Sequence, residues 1–270
     1  MAAAATPLLS LRLTVDYPQR RAVLRELELE MRAGEVLGLV GESGSGKSTI
    51  ALSVMRLLDI KGGVASGSIR FQGRELLTLG EREMRALRGR DLALVLQSPL
   101  SSLNPAMRIG AQLEEAWRAH ARGSRDECRR AVLAALGEVS LPPEEDLLRR
   151  YPDQMSLGQA QRVLIAMALI HRPALVIADE PTSALDLITQ AEILKLFRTL
   201  NRERGVSLLY ISHDLASVAT ICDRIAILRA GQIVECAAVR EIFRAPRHPY
   251  TAQLIAALPT LDWAGERDPA

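Results

Sequence analysis

This chain of 270 residues contains few aromatic residues, and its basic and acidic residues are nearly equal in number. Tryptophan, tyrosine and phenylalanine number 2, 4 and 3, too few for a surface on which the bases of single-stranded nucleic acid could stack. The 34 basic and 32 acidic residues leave a formal net charge of +2, too balanced for a protein that binds a polyanion over its whole surface. Both features argue against nucleic acid as a partner.

Cysteine and long apolar runs are scarce as well. The three cysteines, Cys128, Cys222 and Cys236, form no Cys-x-x-Cys pair, which is typical of free thiols in a reducing compartment and gives no disulfide or metal framework. The longest apolar run covers residues 163–170, far short of the roughly 20 residues that span a bilayer. The N-terminus lacks the basic segment that opens a signal peptide. We therefore expect a cytoplasmic chain that works at a membrane only by binding a protein already there.

Four short runs of Val, Ile and Leu indicate the fold class. They cover residues 36–40, 92–96, 175–178 and 207–211. Continuous apolar runs of this length are typical of strands that are buried on both faces, in a mostly parallel sheet covered by helices. The predicted fold class is therefore α/β.

Helical and alternating patterns fill the segments between these runs. One helix is predicted to end at Gly205, because apolar residues recur on one face at i, i+3, i+4 and i+7. These residues are Ile193, Leu196, Phe197 and Leu200. Residues 10–35 and 64–75 alternate and carry turn glycines, which predicts an antiparallel β subdomain. Residues 99–158 have a helical pattern and predict an inserted helical subdomain.

A phosphate-binding loop directly follows the first apolar run. The sequence Gly-x-x-x-x-Gly-Lys-Ser begins at Gly41 and leads into a helical pattern. Glycines let the backbone turn its N–H groups inward, and the helix N-terminus adds its positive end. In this motif Lys47 reaches the β- and γ-phosphates, and the Ser48 hydroxyl ligates Mg²⁺. The predicted nucleotide contacts are Gly41, Glu42, Ser43, Gly44, Ser45, Gly46, Lys47, Ser48 and Thr49.

Polar side chains also stand at the ends of the other three predicted strands. Gln97 follows the second run, Asp179 and Glu180 follow the third, and His213 closely follows the fourth. Open α/β sheets bind ligands at the edge where the parallel strands end, so we expect these side chains to converge on the loop. The sequence contains no Asn-Lys-x-Asp motif for guanine, which argues against a GTPase.

In this combination of motifs the sequence resembles the ATP-binding cassette (ABC) ATPases over nearly its whole length. The resemblance implies a P-loop NTPase fold with a RecA-like parallel sheet, and ATP and Mg²⁺ as ligands. It implies that Ser48, Gln97 and Asp179 hold Mg²⁺, with Asp179 acting through a water. It also implies that Glu180 polarises the attacking water. Gln97 would sense the metal and the γ-phosphate, and His213 corresponds to the family's switch histidine.

Two further positions match family motifs. Asp186 ends the sequence Ser-Ala-Leu-Asp, which resembles the D-loop and implies a place at the nucleotide. Tyr17, which precedes Lys47 by thirty residues, resembles the aromatic residue that stacks on adenine. The alternative for Tyr17 is an ordinary half-buried strand tyrosine.

The segment MSLGQAQR at residues 155–162 is similar to the family signature LSGGQxQR. Ser156 is expected to cap the following helix, whose N-terminus then forms an anion site. The resemblance implies that two chains sandwich two ATP molecules head to tail, with Ser156, Gly158 and Gln159 contacting the nucleotide of the partner chain. Leu157 stands where the family has glycine. It either weakens this composite site or points away from the phosphate.

Two stretches resemble the branch of the family that powers oligopeptide, dipeptide and nickel importers. Residues 97–105 resemble that branch's Q-loop continuation, and the sequence APRHPYT at 245–251 resembles its short C-terminal element. The resemblance implies an ATPase domain over 8–240, which contains the helical subdomain, and a C-terminal tail over 241–270.

This branch implies a set of partners. They are a second ABC ATPase, in a heterodimer or a homodimer, two membrane permease subunits and, indirectly, a solute-binding protein. The chain is then expected to be peripheral on the inner face of a bacterial cell membrane. The alternative is an accessory ATPase of a soluble enzyme complex such as carbon–phosphorus lyase, whose ATPases share the cassette and a similar His-Pro-Tyr-Thr tail.

Overall fold

The structure, a computed structural model, describes residues 6–142 and 144–258. The part of the predicted tail that covers residues 259–270 lies outside the described residues. Among the helices of the described part, none combines the length and the apolar character that crossing a membrane requires.

Ten strands run through the described residues. They are β1 Leu9–Tyr17, β2 Arg20–Met31, β3 Val36–Val40, β4 Val64–Phe71, β5 Arg74–Glu75, β6 Leu92–Val95, β7 Leu175–Asp179, β8 Ser207–Ser212, β9 Arg224–Arg229 and β10 Gln232–Ala238. Six of them form one sheet in the order β10-β9-β3-β8-β7-β6. The pairs from β9 to β6 are parallel, and β10 is antiparallel to β9. The other four form an antiparallel sheet in the order β2-β1-β4-β5.

Eleven α-helices complete the described part of the chain. They are α1 Lys47–Val54, α2 Glu81–Leu87, α3 Pro99–Ser102, α4 Ile109–Arg118, α5 Arg125–Glu138, α6 Glu145–Arg149, α7 Leu157–Leu169, α8 Leu187–Arg204, α9 Leu215–Ile221, α10 Val239–Arg244 and α11 Pro249–Ala256. Two short 3-10 helices lie at Leu58–Lys61 and Pro152–Gln154.

Strand β3 shows how the larger sheet is buried on both faces. Val36 and Val40 pack into a core that includes α4, α5, α7 and α8. Leu37 and Leu39, which point to the opposite face, pack into a second core with α1 and the antiparallel sheet. All four side chains are buried. This two-sided burial explains why β3 is a continuous apolar run rather than an alternating one.

The predicted α/β architecture is confirmed, with its antiparallel patch. Strand β6 ends one residue earlier than the predicted run, whereas β7 and β8 each extend one residue further, so Asp179 and Ser212 end their strands. The predicted helix is α8, with its four apolar residues buried. Gly205 ends it in a left-handed conformation, at φ 66°, and donates its N–H to the carbonyl of Asn201. Residues 99–158 contain α3 to α6 and the start of α7.

The sequence analysis missed β9 and β10. The apolar run in β9 is only four residues long, 225–228, and an arginine flanks it on each side. Strand β10 has no more than two consecutive residues of Val, Ile or Leu, because it lies at the edge of the sheet and only Glu235 among its residues is buried. Length and periodicity therefore carry little signal for either strand.

Candidate active site

The phosphate-binding loop joins β3 to α1. At two of its positions the backbone lies so close to neighbouring residues that only glycine fits. At Gly46 φ is 112°, and a Cβ there would come within 2.6 Å of the Leu24 Cδ2. A Cβ on Gly41 would come within 2.3 Å of the carbonyl oxygen of Leu228, in β9. Since no side chain fits at either position without a shift of the surroundings, the two glycines let the loop backbone lie close against β2 and β9.

Lys47 is the first residue of α1 and is only 5% exposed. Its Nζ donates hydrogen bonds to the carbonyl oxygens of Gly41, at 2.7 Å, and Glu42, at 3.1 Å. The Glu180 Oε1 lies 4.0 Å from the same nitrogen. Burial lowers the pKa of Lys47, while the carboxylates of Glu180 and Asp179 oppose that shift. The ammonium group is thus poorly solvated and suited to bind further negative charge.

Asp179, at the end of β7, fits a metal-binding role. Its Oδ1 is buried and has no hydrogen-bond partner among the described residues. Burial raises the pKa of Asp179, and a hydrogen bond from the Ser48 side chain lowers it. A buried carboxylate oxygen without a partner beside a hydroxyl is the type of oxygen donor set that Mg²⁺ prefers. Ser48 and Asp179, two of the three ligands that the family resemblance implies, therefore fit Mg²⁺.

The carboxylate of Glu180 brings two of the predicted side chains together. Its Oε2 accepts a hydrogen bond from the Gln97 Nε2 at 3.2 Å and lies 3.1 Å from the His213 Nδ1. Since an ionised carboxylate only accepts hydrogen bonds, this contact places a proton on Nδ1. Gln97 also donates to the Ser183 Oγ at 3.1 Å, so its side chain faces Glu180 rather than the Ser48–Asp179 pair in this conformation.

The backbone of Glu180 is strained in a way that serves this arrangement. Its φ is 49°, in the left-handed region that non-glycine residues rarely adopt. The N–H of Glu180 donates to the carbonyl of Ile211, in β8, at 2.9 Å. The turn that follows β7 therefore directs the Glu180 side chain back over the end of the sheet, where it is 17% exposed.

A cleft of about 540 Å³ opens over the loop. Most of the predicted loop residues line it, whereas Gly41, Glu42 and Ser45 do not. The lining residues that the sequence analysis named are Tyr17, Ser43, Gly44, Gly46, Lys47, Ser48, Thr49 and Glu180. This volume is in the range of small-molecule sites. Tyr17 ends β1, is half-buried and packs against Gly63, whose added Cβ would lie 2.7 Å from the Tyr17 ring. It therefore borders the cleft while also being a strand residue.

Several cleft or contact residues were missed by the sequence analysis, among them two cationic residues and one serine. Arg20 and Lys61 line the cleft, and the Arg20 Nη1 donates to the Gly44 carbonyl at 3.4 Å. Neither belongs to a motif, so no sequence signal points to them. Ser183 lies in the segment that resembles the D-loop, and that match was the available signal for its contact with Gln97.

The signature segment caps α7 as predicted. The Ser156 Oγ accepts a hydrogen bond from the N–H of Gln159 at 3.2 Å, and the Gln159 side chain accepts one from the N–H of Ser156 at 3.1 Å. This reciprocal pair is a capping box. Leu157, the first residue of α7, is 41% exposed. None of these three residues lines the cleft over the loop.

Gly158 and Asp186 connect the signature segment to the start of α8. A Cβ on Gly158 would lie 2.6 Å from the Thr189 Cγ2. Asp186 caps α8 by accepting hydrogen bonds from the N–H groups of Ile188 and Thr189, and it accepts another from the Thr189 hydroxyl at 2.7 Å. These hydrogen bonds lower the pKa of Asp186. The N-terminus of α7 and the N-terminus of α8 are thus in direct contact.

The family comparisons match two regions of the chain. Residues 24–183 match the family described as "ABC transporter". Residues 234–269 match the family described as "Oligopeptide/dipeptide transporter, C-terminal region". This second match begins seven residues before the predicted tail, in β10.

Two curated relatives carry transport names. The chain is 44% identical to the "Glutathione import ATP-binding protein GsiA" of Escherichia coli (strain K12) over 249 residues, which cover 90% of this chain and 40% of that protein. It is 42% identical to the "Oligopeptide transport ATP-binding protein OppD" of Bacillus subtilis (strain 168) over 246 residues, covering 91% of this chain and 69% of that protein. The chain therefore spans less than half the length of the first of these relatives.

Solved structures share the fold. One, "Dimeric structure of a post-hydrolysis state of the ATP-binding cassette MJ0796 bound to ADP and Pi", has a TM-score of 0.73 and 27% identity and covers 86% of this chain and 99% of that chain. Another, cbiO1 from Clostridium perfringens, part of the ABC transporter complex cbiONQ, has a TM-score of 0.77 and 25% identity and covers 93% and 99%. The fold, the loop and both family matches agree: this chain belongs to the ABC transporter family of ATP-binding proteins.

Proposed function

We propose that this chain is the ATP-hydrolysing subunit of an ABC importer for peptides, nickel or a related small solute. The observation that carries the proposal is the position of Glu180, whose carboxylate contacts Gln97 and His213 on one side and approaches Lys47 on the other. A water held against this carboxylate would lie next to the Lys47 ammonium group, which would neutralise charge on a γ-phosphate. Phosphoryl transfer depends on such orientation and charge neutralisation rather than on covalent chemistry.

Each side chain then has a distinct task. Lys47, released from the carbonyl oxygens of Gly41 and Glu42, binds the β- and γ-phosphates. Ser48 and Asp179 hold Mg²⁺, together with Gln97 once that side chain leaves Glu180. The metal ion, when bound, neutralises charge that develops on the phosphate oxygens.

Glu180 is the proposed general base, and His213 is its neighbour across the site. The His213 Nδ1 faces Glu180, and the opposite ring nitrogen, Nε2, would have to carry a proton to donate to a γ-phosphate oxygen, which only accepts hydrogen bonds. Gln97 donates to the same carboxylate oxygen. Both contacts orient the base, and both would respond to the presence or loss of the γ-phosphate.

Three of the predicted nucleotide contacts belong to the partner's site. The capped N-terminus of α7 presents Ser156, Gly158 and Gln159 to the nucleotide of a second ABC ATPase, and Asp186 lies beside them through Thr189. Helix N-termini favour phosphate groups. The second cassette is either a different ATPase or another copy of this chain. ATP binding closes the pair, because the closed form binds ATP more tightly.

Transport requires further partners. We infer two membrane permease subunits and a solute-binding protein, with this chain peripheral on the inner face of the bacterial membrane. The ATPase domain is proposed to span 8–240 with the helical subdomain at 99–158, and the tail to span 241–270. The names of the two relatives and the C-terminal family match support an importer. They do not favour an accessory ATPase of a soluble enzyme complex.

Copurification from native membranes tests the proposal. The affinity-tagged chain should bring down membrane permeases, and the isolated complex in vesicles should hydrolyse ATP faster when a solute-loaded binding protein is present. Lys47→Ala should abolish this stimulated hydrolysis while the matched control Lys195→Ala, at an exposed position of α8, retains it. Recovery of a soluble enzyme complex without permeases, or full activity of Lys47→Ala, would contradict the proposal.

A further inference from the structure

The C-terminal tail is held against the larger sheet by one buried carboxylate. Glu235, in β10, accepts hydrogen bonds from the N–H groups of Arg247 at 2.9 Å and His248 at 3.0 Å. Its side chain is 9% exposed. Burial alone would raise the pKa of Glu235, but the hydrogen bonds that it accepts lower it overall. The start of α11 is therefore fixed relative to the β9–β10 pair.

This anchoring places Tyr250 in a defined position. The residue follows the α11 cap, in which the His248 Nδ1 accepts a hydrogen bond from the Tyr250 N–H at 3.1 Å. Its ring is 3% exposed, belongs to the larger hydrophobic core and lies under the guanidinium of Arg229, 4.5 Å from the ring centroid. A contact of this kind combines burial with cation–π attraction.

The Tyr250 hydroxyl reaches the phosphate-binding loop. Burial raises the pKa of Tyr250, and the adjacent carboxylate of Glu42 raises it further. The phenol is thus protonated at neutral pH and available as a donor. In this conformation the buried hydroxyl has no hydrogen-bond partner among the described residues. A buried hydroxyl without a partner is costly, so a slight shift that completes the bond to Glu42 is favourable.

Glu42 is the residue through which this contact reaches the nucleotide site. Its carbonyl oxygen accepts a hydrogen bond from the Lys47 Nζ, the group proposed to bind phosphate. The neighbouring Gly41 packs against the carbonyl of Leu228, which directly precedes Arg229. The loop is therefore held on one side by the end of β9 and by the ring that stacks on it.

We propose that the C-terminal tail positions the phosphate-binding loop from within the same chain, with Tyr250 as a positioning residue that acts through Glu42. The inference rests on the proposed binding of nucleotide at this loop. It assigns the tail a role in nucleotide affinity, in addition to any role outside the ATPase. The Tyr250 ring serves the packing of the tail, and its hydroxyl serves the loop.

The Tyr250→Phe variant separates these two roles, because phenylalanine keeps the ring over Arg229 and removes only the hydroxyl. Binding of a fluorescent ATP analogue with Mg²⁺ to the full chain should weaken by about fivefold, because the hydrogen bond to Glu42 that the proposed shift completes contributes roughly 1 kcal/mol. Amide hydrogen exchange in a peptide covering 41–46 should accelerate. The melting temperature should change little.

Two comparisons make the test specific. Tyr151→Phe is a matched control, because Tyr151 also lies over an arginine, Arg108, at 5.8 Å, but is exposed and belongs to the helical segment. It should alter neither affinity nor loop exchange. In a Glu42→Ala background, Tyr250→Phe should have no further effect on affinity, since its partner is already gone.

The possible failures are distinguishable. Unchanged affinity and loop exchange in Tyr250→Phe, or effects of Tyr250→Phe and Glu42→Ala that simply add, would overturn the inference while leaving the proposed function intact. A wild-type chain that binds no nucleotide would refute the proposed function, and the inference with it.

Discussion

Replacing Glu180 with glutamine removes one negative charge and keeps the shape of the side chain. Both residues have an unbranched Cβ, so the backbone at φ 49° is equally strained in either. Glutamine offers one oxygen where glutamate has two, and its amide nitrogen cannot accept a hydrogen bond. Gln97 and His213 both approach the Oε2 of Glu180, and both can share the single oxygen only if the amide is oriented toward them.

The expected structural cost is small. If one of the two donors loses its acceptor, the free energy of unfolding falls by about 1 kcal/mol, which corresponds to a decrease of about 2–4 °C in the melting temperature of a chain of this size. The nucleotide contacts made by Lys47 and Ser48 remain in place. ATP binding should therefore persist, since the negative charge that repels the γ-phosphate has been removed.

The expected catalytic cost is large. A positioned general base contributes roughly 10²- to 10⁴-fold to the rate, equivalent to about 3–5 kcal/mol of barrier. Phosphate release should fall by that factor in Glu180→Gln, whereas the affinity for a fluorescent ATP analogue should be unchanged or tighter. ATP-dependent association with the second cassette should be prolonged, because the bound ATP is no longer consumed.

The assay is steady-state phosphate release by the assembled complex, with nucleotide binding measured on the same preparations. Glu81→Gln is a matched control. It removes a carboxylate that is 61% exposed and paired with Arg88, away from the cleft. That variant should hydrolyse ATP at the wild-type rate. Hydrolysis by Glu180→Gln within tenfold of the wild type would refute the assignment of Glu180 as the base, and loss of nucleotide-dependent association would refute the paired arrangement.

Three further predictions concern packing, the signature and pH. Gly158→Ala should lower the free energy of unfolding by about 1–3 kcal/mol, because the new Cβ would meet the Thr189 Cγ2 at 2.6 Å. Adding Thr189→Ser, which deletes that methyl group and keeps the hydroxyl, should restore the melting temperature. A double variant no more stable than Gly158→Ala would contradict this contact. Leu157→Gly should raise ATP turnover in the assembled complex, since the exposed branched side chain stands at the proposed partner surface; an unchanged rate would mean that Leu157 points away from the phosphate. The pKa of Glu235 is lowered in the folded chain, so the contribution of Glu235 to tail docking is present above its unfolded pKa and is lost as the pH falls through its folded pKa. Amide exchange in α11 should therefore accelerate with acidification in the wild type. In Glu235→Gln the exchange should be less dependent on pH.

The predicted side chains that the structure brings together could be foreseen from local sequence or from sheet geometry. The loop from Gly41 to Lys47 is continuous in sequence, and its glycines are required by contacts within a few ångströms. Gln97, Glu180 and His213 come from three separate strands, yet they meet because parallel strands end at the same edge. The same reasoning placed the cap at Ser156, since capping residues act on N–H groups only two or three residues away.

The contacts that the sequence analysis missed join residues with no periodic relation. The proposed interaction of Tyr250 with Glu42 joins residues more than two hundred positions apart, and nothing in the spacing of either residue predicts it. Thr189 excludes a side chain at Gly158 because two helix N-termini abut, a fact of tertiary packing. The φ of Glu180 is set by its hydrogen bond to Ile211 in the next strand, not by any preference of glutamate.

The phosphate-binding loop is held from two directions that affect different quantities. From the end of the sheet, Glu180 faces Lys47 and would act on the attacking water, so changes there should appear in the turnover rate. From the tail, Tyr250 is proposed to act through Glu42 on the resting shape of the loop, so changes there should appear in nucleotide affinity. Both contacts converge on the Lys47 Nζ, one through a carboxylate at 4.0 Å and one through a carbonyl at 3.1 Å. If the two supports act independently, the effects of Glu180→Gln on turnover and of Tyr250→Phe on affinity should combine without coupling, which one double variant would test.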